Sequence, residues 1–206
     1  MNSTEHQKEA IKNLIDEVLD GTELQLKVDT YSLEESLETG VVNLRCDVHH
    51  HRTGEKTVIE GEGVGIVDAF FHGMVSKYSE QFPSLKTIRF SDFAIKANIE
   101  TGNEAARSDM SASATLRVCN SEGREFIFTD TSKSITRSSI NAVLEAAEFF
   151  INSERAFIAV YRALQHAREQ NRHDSIQRYT GQLTTLVEAT SYSDVIEQIR
   201  NQELTS

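Results

Sequence analysis

The stretch "EKTVIEGEGVGIVDAFFHGMVSKYSEQF", Glu55 to Phe82, changes character at its centre. Its first third is β-branched and reads as a strand. From Ile66 onward, Val67, Phe70, Phe71, Met74, Val75 and Tyr78 recur near every 3.6 residues, which predicts an amphipathic helix ending before Pro83, the only proline of the chain. Between the two lie Gly61, Gly63 and Gly65. A dinucleotide-binding fingerprint would need its third glycine at position 66, which is Ile, and would place Glu62 beside the phosphates, so that reading fails on spacing and charge. Two readings stay open. The glycines relieve strain where a strand turns sharply into a helix, or their bare N–H groups at the helix N-terminus hold a small carboxylate.

Upstream, "TELQLKVDTYSL", "GVVNLRCDVHHH" and "EKTVIEGEGV" read as three antiparallel strands with breaks near Gly40 and Gly54. Before them, Ile11, Leu14, Ile15, Val18 and Leu19 make the stripe of an opening helix that stops near Gly21. Downstream the pattern begins again. "LKTIRFSDFAIKAN", "DMSASATLRVCN" and "REFIFTDTS" read as strands, with "NSEG" as the turn between the last two. A second helix, "SITRSSINAVLEAAEFFIN", carries Ile140, Val143, Leu144, Ala147 and Phe150 on one face. Three strands before each helix argue against a doubly wound nucleotide fold. The expected fold is α+β: duplicated βββα units around a pseudo-twofold axis, with antiparallel sheets packed against two helices. An N-terminal helix (1–21), the duplicated domain (22–152) and a helical extension packed on it (153–206) complete the division. Phe157, Val160, Tyr161 and Leu164 mark one stripe of that extension, and Ile176, Leu183, Leu186 and Val187 another.

The chain has 206 residues, a formal charge of −11 and no apolar run of membrane-spanning length. That charge repels nucleic acid and anionic lipid and leaves no basic stripe, so neither partner is expected. The opening residues lack the basic start and apolar block of an export signal, which predicts cytoplasmic residence. Cys46 and Cys119 each fall in a strand and read as lone buried thiols.

Few residues carry chemistry. In "HHH", 49–51, only His49 and His51 share a strand face, without further ligands nearby, so the stretch reads as the exposed end of a hairpin rather than a metal site. In "TDTSKSITRSSI", 129–140, Ser134 is a natural N-cap, and its place in the second unit corresponds to the glycine stretch in the first. Two helix N-termini could then face a shared cleft. No nucleophile elbow occurs, and neither cysteine has a basic setting. No cofactor, metal or catalytic residue is expected.

"EGEGVGIVDAFFHGM" resembles the G-x-G-x-G-P-V-D-A motif opening the first helix of the C-terminal regulatory domain of 2-isopropylmalate synthase, a domain shared with citramalate synthase. The likeness extends over residues 24–165. "LKTIRFSDFAIKAN" is similar to the stretch after that helix, and "SITRSSINAVLEAAEFFIN" to the second helix. Gly61, Gly63, Gly65, Val67, Asp68 and Ala69 stand at positions of the first motif; Ile135, Ser138 and Ser139 stand at positions of the second. Ile66 replaces the family's proline, and Ser134 its usual aspartate. The resemblance implies a non-catalytic feedback module that dimerises and binds leucine or isoleucine near the dimer interface. The catalytic barrel of those synthases, about 250 residues, is absent.

The leading expectation is therefore a homodimeric regulatory module. Backbone donors from Gly63 to Val67 and those after Ser134 receive an amino-acid carboxylate, while Val64, Ile66 and Ile135 shelter an apolar tail. The alternative is an interaction scaffold that has lost its ligand and recruits a partner, such as a catalytic barrel subunit in trans, through the helices after Ser153. An enzyme of unrecognised type ranks third, since no constellation of residues supports one.

Overall fold

The computed structural model describes residues 3–100, 109–190 and 195–197. Helix α1 (Ser3–Leu19) leads into strands β1 (Leu26–Ser36), β2 (Val41–His50) and β3 (Lys56–Gly63), then helix α2 (Ile66–Tyr78). After a 3₁₀ turn at Pro83–Thr87 come β4 (Arg89–Glu100), β5 (Asp109–Cys119) and β6 (Glu125–Ser132). Helices α3 (Ile135–Glu169) and α4 (His173–Leu186) follow. The strands form two antiparallel three-stranded sheets, ordered β1-β2-β3 and β4-β5-β6. This is the duplicated βββα architecture expected from the pattern of periods.

The duplication holds residue by residue. On the inner face of the first sheet, Val42, Leu44, Cys46 and Val48 pair with Gly63, Gly61, Ile59 and Thr57. Ala112, Ala114, Leu116 and Val118 pair in the same register with Ser132, Asp130, Phe128 and Phe126. Each edge strand slips register once, between Val28 and Thr30 in β1 and between Phe90 and Asp92 in β4. The slip is a β-bulge, and it falls at equivalent positions. It follows that Val28 matches Phe90, Tyr31 matches Phe93 and Leu33 matches Ile95.

The two helices differ in length. α2 ends at Tyr78 because the chain must become extended at Phe82 before Pro83. The sequence reading placed a change of character after Asn152, whereas α3 runs unbroken for 35 residues. No proline or glycine interrupts it, and Phe157, Val160 and Leu164 are buried as firmly as Phe150. The change in composition reflects a change of packing partner along one helix. α3 stops where Asn171 takes a positive φ of 52° and Arg172 N–H returns to Ala167 O at 2.9 Å.

One apolar core joins both units. Ile11, Ile15 and Leu19 of α1, Phe70 and Met74 of α2, and Phe126, Phe128 and Phe150 of the second unit belong to a single cluster. Phe150 meets Phe126 edge-on at 5.5 Å between ring centres. α4 closes on α3 through Leu186, followed by buried Ala189 and Val195. The expected helical character of 191–194 and 198–202 lies outside the described residues.

Candidate functional site

The glycine stretch is a packing joint. A Cβ at Gly61 would fall 2.0 Å from the carbonyl oxygen of Ala69, and one at Gly63 would fall 2.5 Å from the Ala69 nitrogen. Gly73 completes the joint from the helix side, since a Cβ there would lie 2.7 Å from Ile59 Cγ2. α2 therefore rests on the bare backbone of β3. Gly65 serves differently: its φ of 108° turns the chain into α2, and nothing crowds it.

The donors expected to receive a carboxylate are partly engaged. Val64 N–H donates to Asp68 Oδ2 at 2.9 Å, so this chain's own carboxylate caps the helix from inside. The side chain of Val64 is 83% exposed, Ile66 and Val67 are half-buried, and Ala69 is buried. His72 Nε2 lies 3.5 Å from Asp68 Oδ1, further tying that carboxylate down.

At the second turn, Ser134 Oγ accepts from Arg137 N–H at 3.3 Å, the N-cap read from the sequence. Ser138 and Ser139 are fully buried. Ser138 Oγ donates to Ala112 O at 2.9 Å, and Ser139 Oγ donates to Ile135 O at 2.8 Å. Both hydroxyls are satisfied within the fold. Ile135 is 37% exposed. No described cavity is lined by both helix N-termini.

What α3 does border is a cavity of about 480 Å³ against β1. Leu26, Val28, Tyr31, Ile140 and Leu144 supply apolar wall; Lys27, Asp29, Arg137 and Asn141 supply polar groups. Asp29 sits in the β1 bulge, and its Oδ2 lies 2.8 Å from His49 Nδ1. The Asp29 carboxylate faces His49, and no group of three or more His, Cys, Asp or Glu that could hold a metal occurs among the described residues.

A second feature is the uncovered inner face of each edge strand. Tyr31 and Leu33 on β1 are 44% and 39% exposed, and their equivalents Phe93 and Ile95 on β4 are 37% and 42% exposed. Residues paired directly across a sheet share a face, so all four point the way Cys46, Leu44, Leu116 and Ala114 do, beyond the cover of the helices. Aligning "VDTYSL" with "FSDFAI" in the sequence would have exposed this repeat of apolar pairs.

The titratable groups with displaced pKa values lie elsewhere. Burial pushes the Glu148 carboxyl up to about 8, against a lowering hydrogen bond from Leu26 N–H and with a further rise from Glu145. One turn on, Asn152 Oδ1 accepts from Leu24 N–H at 2.8 Å while its Nδ2 donates to Leu24 O at 2.9 Å. These two α3 side chains hold the approach to β1. Tyr78 is raised by burial and by Glu148 and Glu55, and burial lowers Arg155 against the pull of Glu23. Burial, with Asp47 adding, pushes the Cys46 thiol up to about 12, which keeps it an inert core group; Cys119 is only half-buried.

Among the described residues no helix is long and apolar enough to cross a membrane. No curated protein matches the chain. A family model described as the LeuA allosteric (dimerisation) domain matches residues 5–151. That span takes in α1, both sheets, α2 and the first half of α3, the whole of the duplicated architecture. With most of its length matched, the chain belongs to the LeuA allosteric (dimerisation) domain family.

Proposed function

We propose that this protein is a homodimeric feedback module that binds a small branched-chain amino acid and passes its presence to a catalytic barrel, which these residues do not contain. The observation that carries the reading is the matched pair of uncovered apolar strips, Tyr31 with Leu33 and Phe93 with Ile95. Four large apolar side chains at pseudo-symmetric positions form a surface that a second copy can cover with its own equivalent strips. The effector belongs on the α3 side, where Ile135 and the polar groups near Arg137 reach the surface. On the α2 side Val64, Gly65 and Ile66 stand at the equivalent turn, whose Val64 N–H is already bonded to Asp68. Different affinities for two dimer arrangements would transmit the signal.

Sedimentation velocity at micromolar concentration tests the interface. Wild type should run as a dimer, and Tyr31→Asp with Phe93→Asp should run as a monomer of unchanged helical content. A double variant that keeps the dimer mass would sink this interface. For the effector, calorimetry against leucine, isoleucine and valine should give heat with at least one. Neither heat nor a thermal shift at millimolar ligand would remove that part of the reading.

A further inference from the structure

We infer that two copies of this chain meet with unlike edges together, the β1 edge of one against the β4 edge of the other, and that Glu34, Glu35 and Lys96 select this arrangement. The inference rests on the homodimer reading above and goes beyond it by saying which strip covers which.

Both edges stand clear of the rest of the fold. Every residue from Asp29 to Ser36 on β1 and from Ser91 to Ala97 on β4 is exposed, while the central strands beside them bury Val42, Leu44 and Cys46, and Ala112, Ala114 and Leu116. Of the seven large apolar residues left exposed among the described residues, four lie on these two short segments, so the apolar surface is concentrated there. An open strand edge with an apolar face is a template for another chain. Apolar burial is non-directional, so Tyr31 and Leu33 would be covered as well by their own copies as by Phe93 and Ile95. The choice between partners falls to the charges alongside.

Those charges are where the two edges differ. The matching bulges set the correspondence: Lys27 matches Arg89, Thr30 matches Asp92, Glu34 matches Lys96 and Glu35 matches Ala97. The β1 segment 29–36 therefore carries Asp29, Glu34 and Glu35 with no cation, whereas the β4 segment 91–97 balances Asp92 with Lys96. Glu34, Glu35 and Lys96 make no ion pair or side-chain hydrogen bond among the described residues, so all three are free to answer another chain. Pairing like edges would set the three β1 carboxylates against the same three of the second copy, and nothing at the β4 contact would offset that repulsion. Pairing unlike edges brings Lys96 of each copy to the β1 carboxylates of the other. A twofold axis makes that contact twice, since β1 on β4 in one direction entails β4 on β1 in the other. Only this arrangement covers both apolar strips without stacking like charges.

The test is the dimer dissociation constant of the full chain, measured by sedimentation equilibrium at about 50 mM and about 500 mM salt. Wild type should dissociate more readily at the higher salt, because screening removes an attraction. At low salt Glu34→Gln with Glu35→Gln should weaken the dimer about fivefold, and Lys96→Gln should weaken it by a similar factor. Circular dichroism should be unchanged in each, since these side chains are exposed. Glu34→Lys with Glu35→Lys should weaken the dimer further, and adding Lys96→Glu to that variant should restore most of the loss, the mark of two edges in contact. Like pairing gives the opposite signs: a dimer tightened by salt, tightened by neutralising Glu34 and Glu35, and weakened rather than rescued by adding Lys96→Glu. Those signs, or a dimer indifferent to every one of these changes, would overturn the inference and leave the homodimer standing. A wild type that stays monomeric at every concentration removes both readings.

Discussion

The two βββα units set their helices on their sheets in different ways. In the first, Gly61, Gly63 and Gly73 bring the backbone of α2 onto that of β3. In the second, the matching places hold Asp130, Ser132 and Ala142, so α3 stands off on side chains, with Ser138 Oγ bonded to Ala112 O and paired with Ser132 Oγ at 2.9 Å. A joint of backbone on backbone leaves no space and tolerates no added atom. A joint of side chains can diverge, and the second unit has diverged: its helix is 35 residues against 13, and it reaches across to clamp the approach to β1. Duplication fixed the frame, while the contact chemistry within each copy became free to differ.

The sharpest way to break this contrast is to exchange sizes at the matched positions. Gly61→Ala puts a methyl 2.0 Å from a carbonyl oxygen that cannot move without α2, and a loss of about 3 kcal/mol or more is expected in urea denaturation. Asp130→Ala, at the equivalent place, should cost less than about 1 kcal/mol or stabilise, because Asp130 Oδ2 is buried with no hydrogen bond. Equal losses in the two variants would remove the distinction between the joints.

Next in size is a pH effect belonging to the long helix alone. The position on the first unit that matches Glu148 is Ser79, just past the end of α2. The folded Glu148 carboxyl holds its proton up to about pH 8 against an ordinary value of 4.5, so between these limits the folded chain binds more protons than the unfolded one. Stability from this group is complete below about pH 4.5 and is lost as pH rises through about 8. The expected decline is on the order of a few kcal/mol. Glu148→Gln retains an acceptor for Leu26 N–H and removes the titration, so its thermal midpoint should vary less between pH 5 and 8.5. Charged neighbours in the same lining, Lys8, Lys12, Asp16, Glu23 and Glu145, are unchanged in the variant. Parallel curves for the two proteins would assign the pH dependence to another group.

The smallest effects come from the two helix starts. Ser134→Ala removes the hydroxyl that receives Arg137 N–H and should cost about 1 kcal/mol. Asp68→Ala frees Val64 N–H at an exposed turn and should cost roughly 0.5 kcal/mol, since water can replace the carboxylate there. A reversed order would show that the internal carboxylate is the stronger cap.

Much of this architecture was legible in the sequence. The switch of period at Gly65, the return of strand patterns after Pro83 and the stripe from Ile140 to Phe150 gave the element order, because period 2 and period 3.6 are local consequences of backbone geometry. The N-cap at Ser134 was legible for the same reason. The extent of α3 was not: Asn152 and the polar residues after it look like a boundary, but the helix changes partner there rather than ending. Burial of Ser138 and Ser139 was also hidden, since a motif match says nothing about which side of a helix meets a sheet.

The sequence by itself determined the duplicated strand and helix pattern, the glycine positions and the family they resemble, all of which depend on residues near one another in the chain. Only the tertiary structure decided what the glycines are for, and that one junction between the units is filled by Phe71 and Phe90 while the other stands open beside Val28 and Ile140. The reason is physical: strain and capping are set by neighbours in sequence, whereas close approach and empty volume depend on side chains that meet only after the two units have packed together.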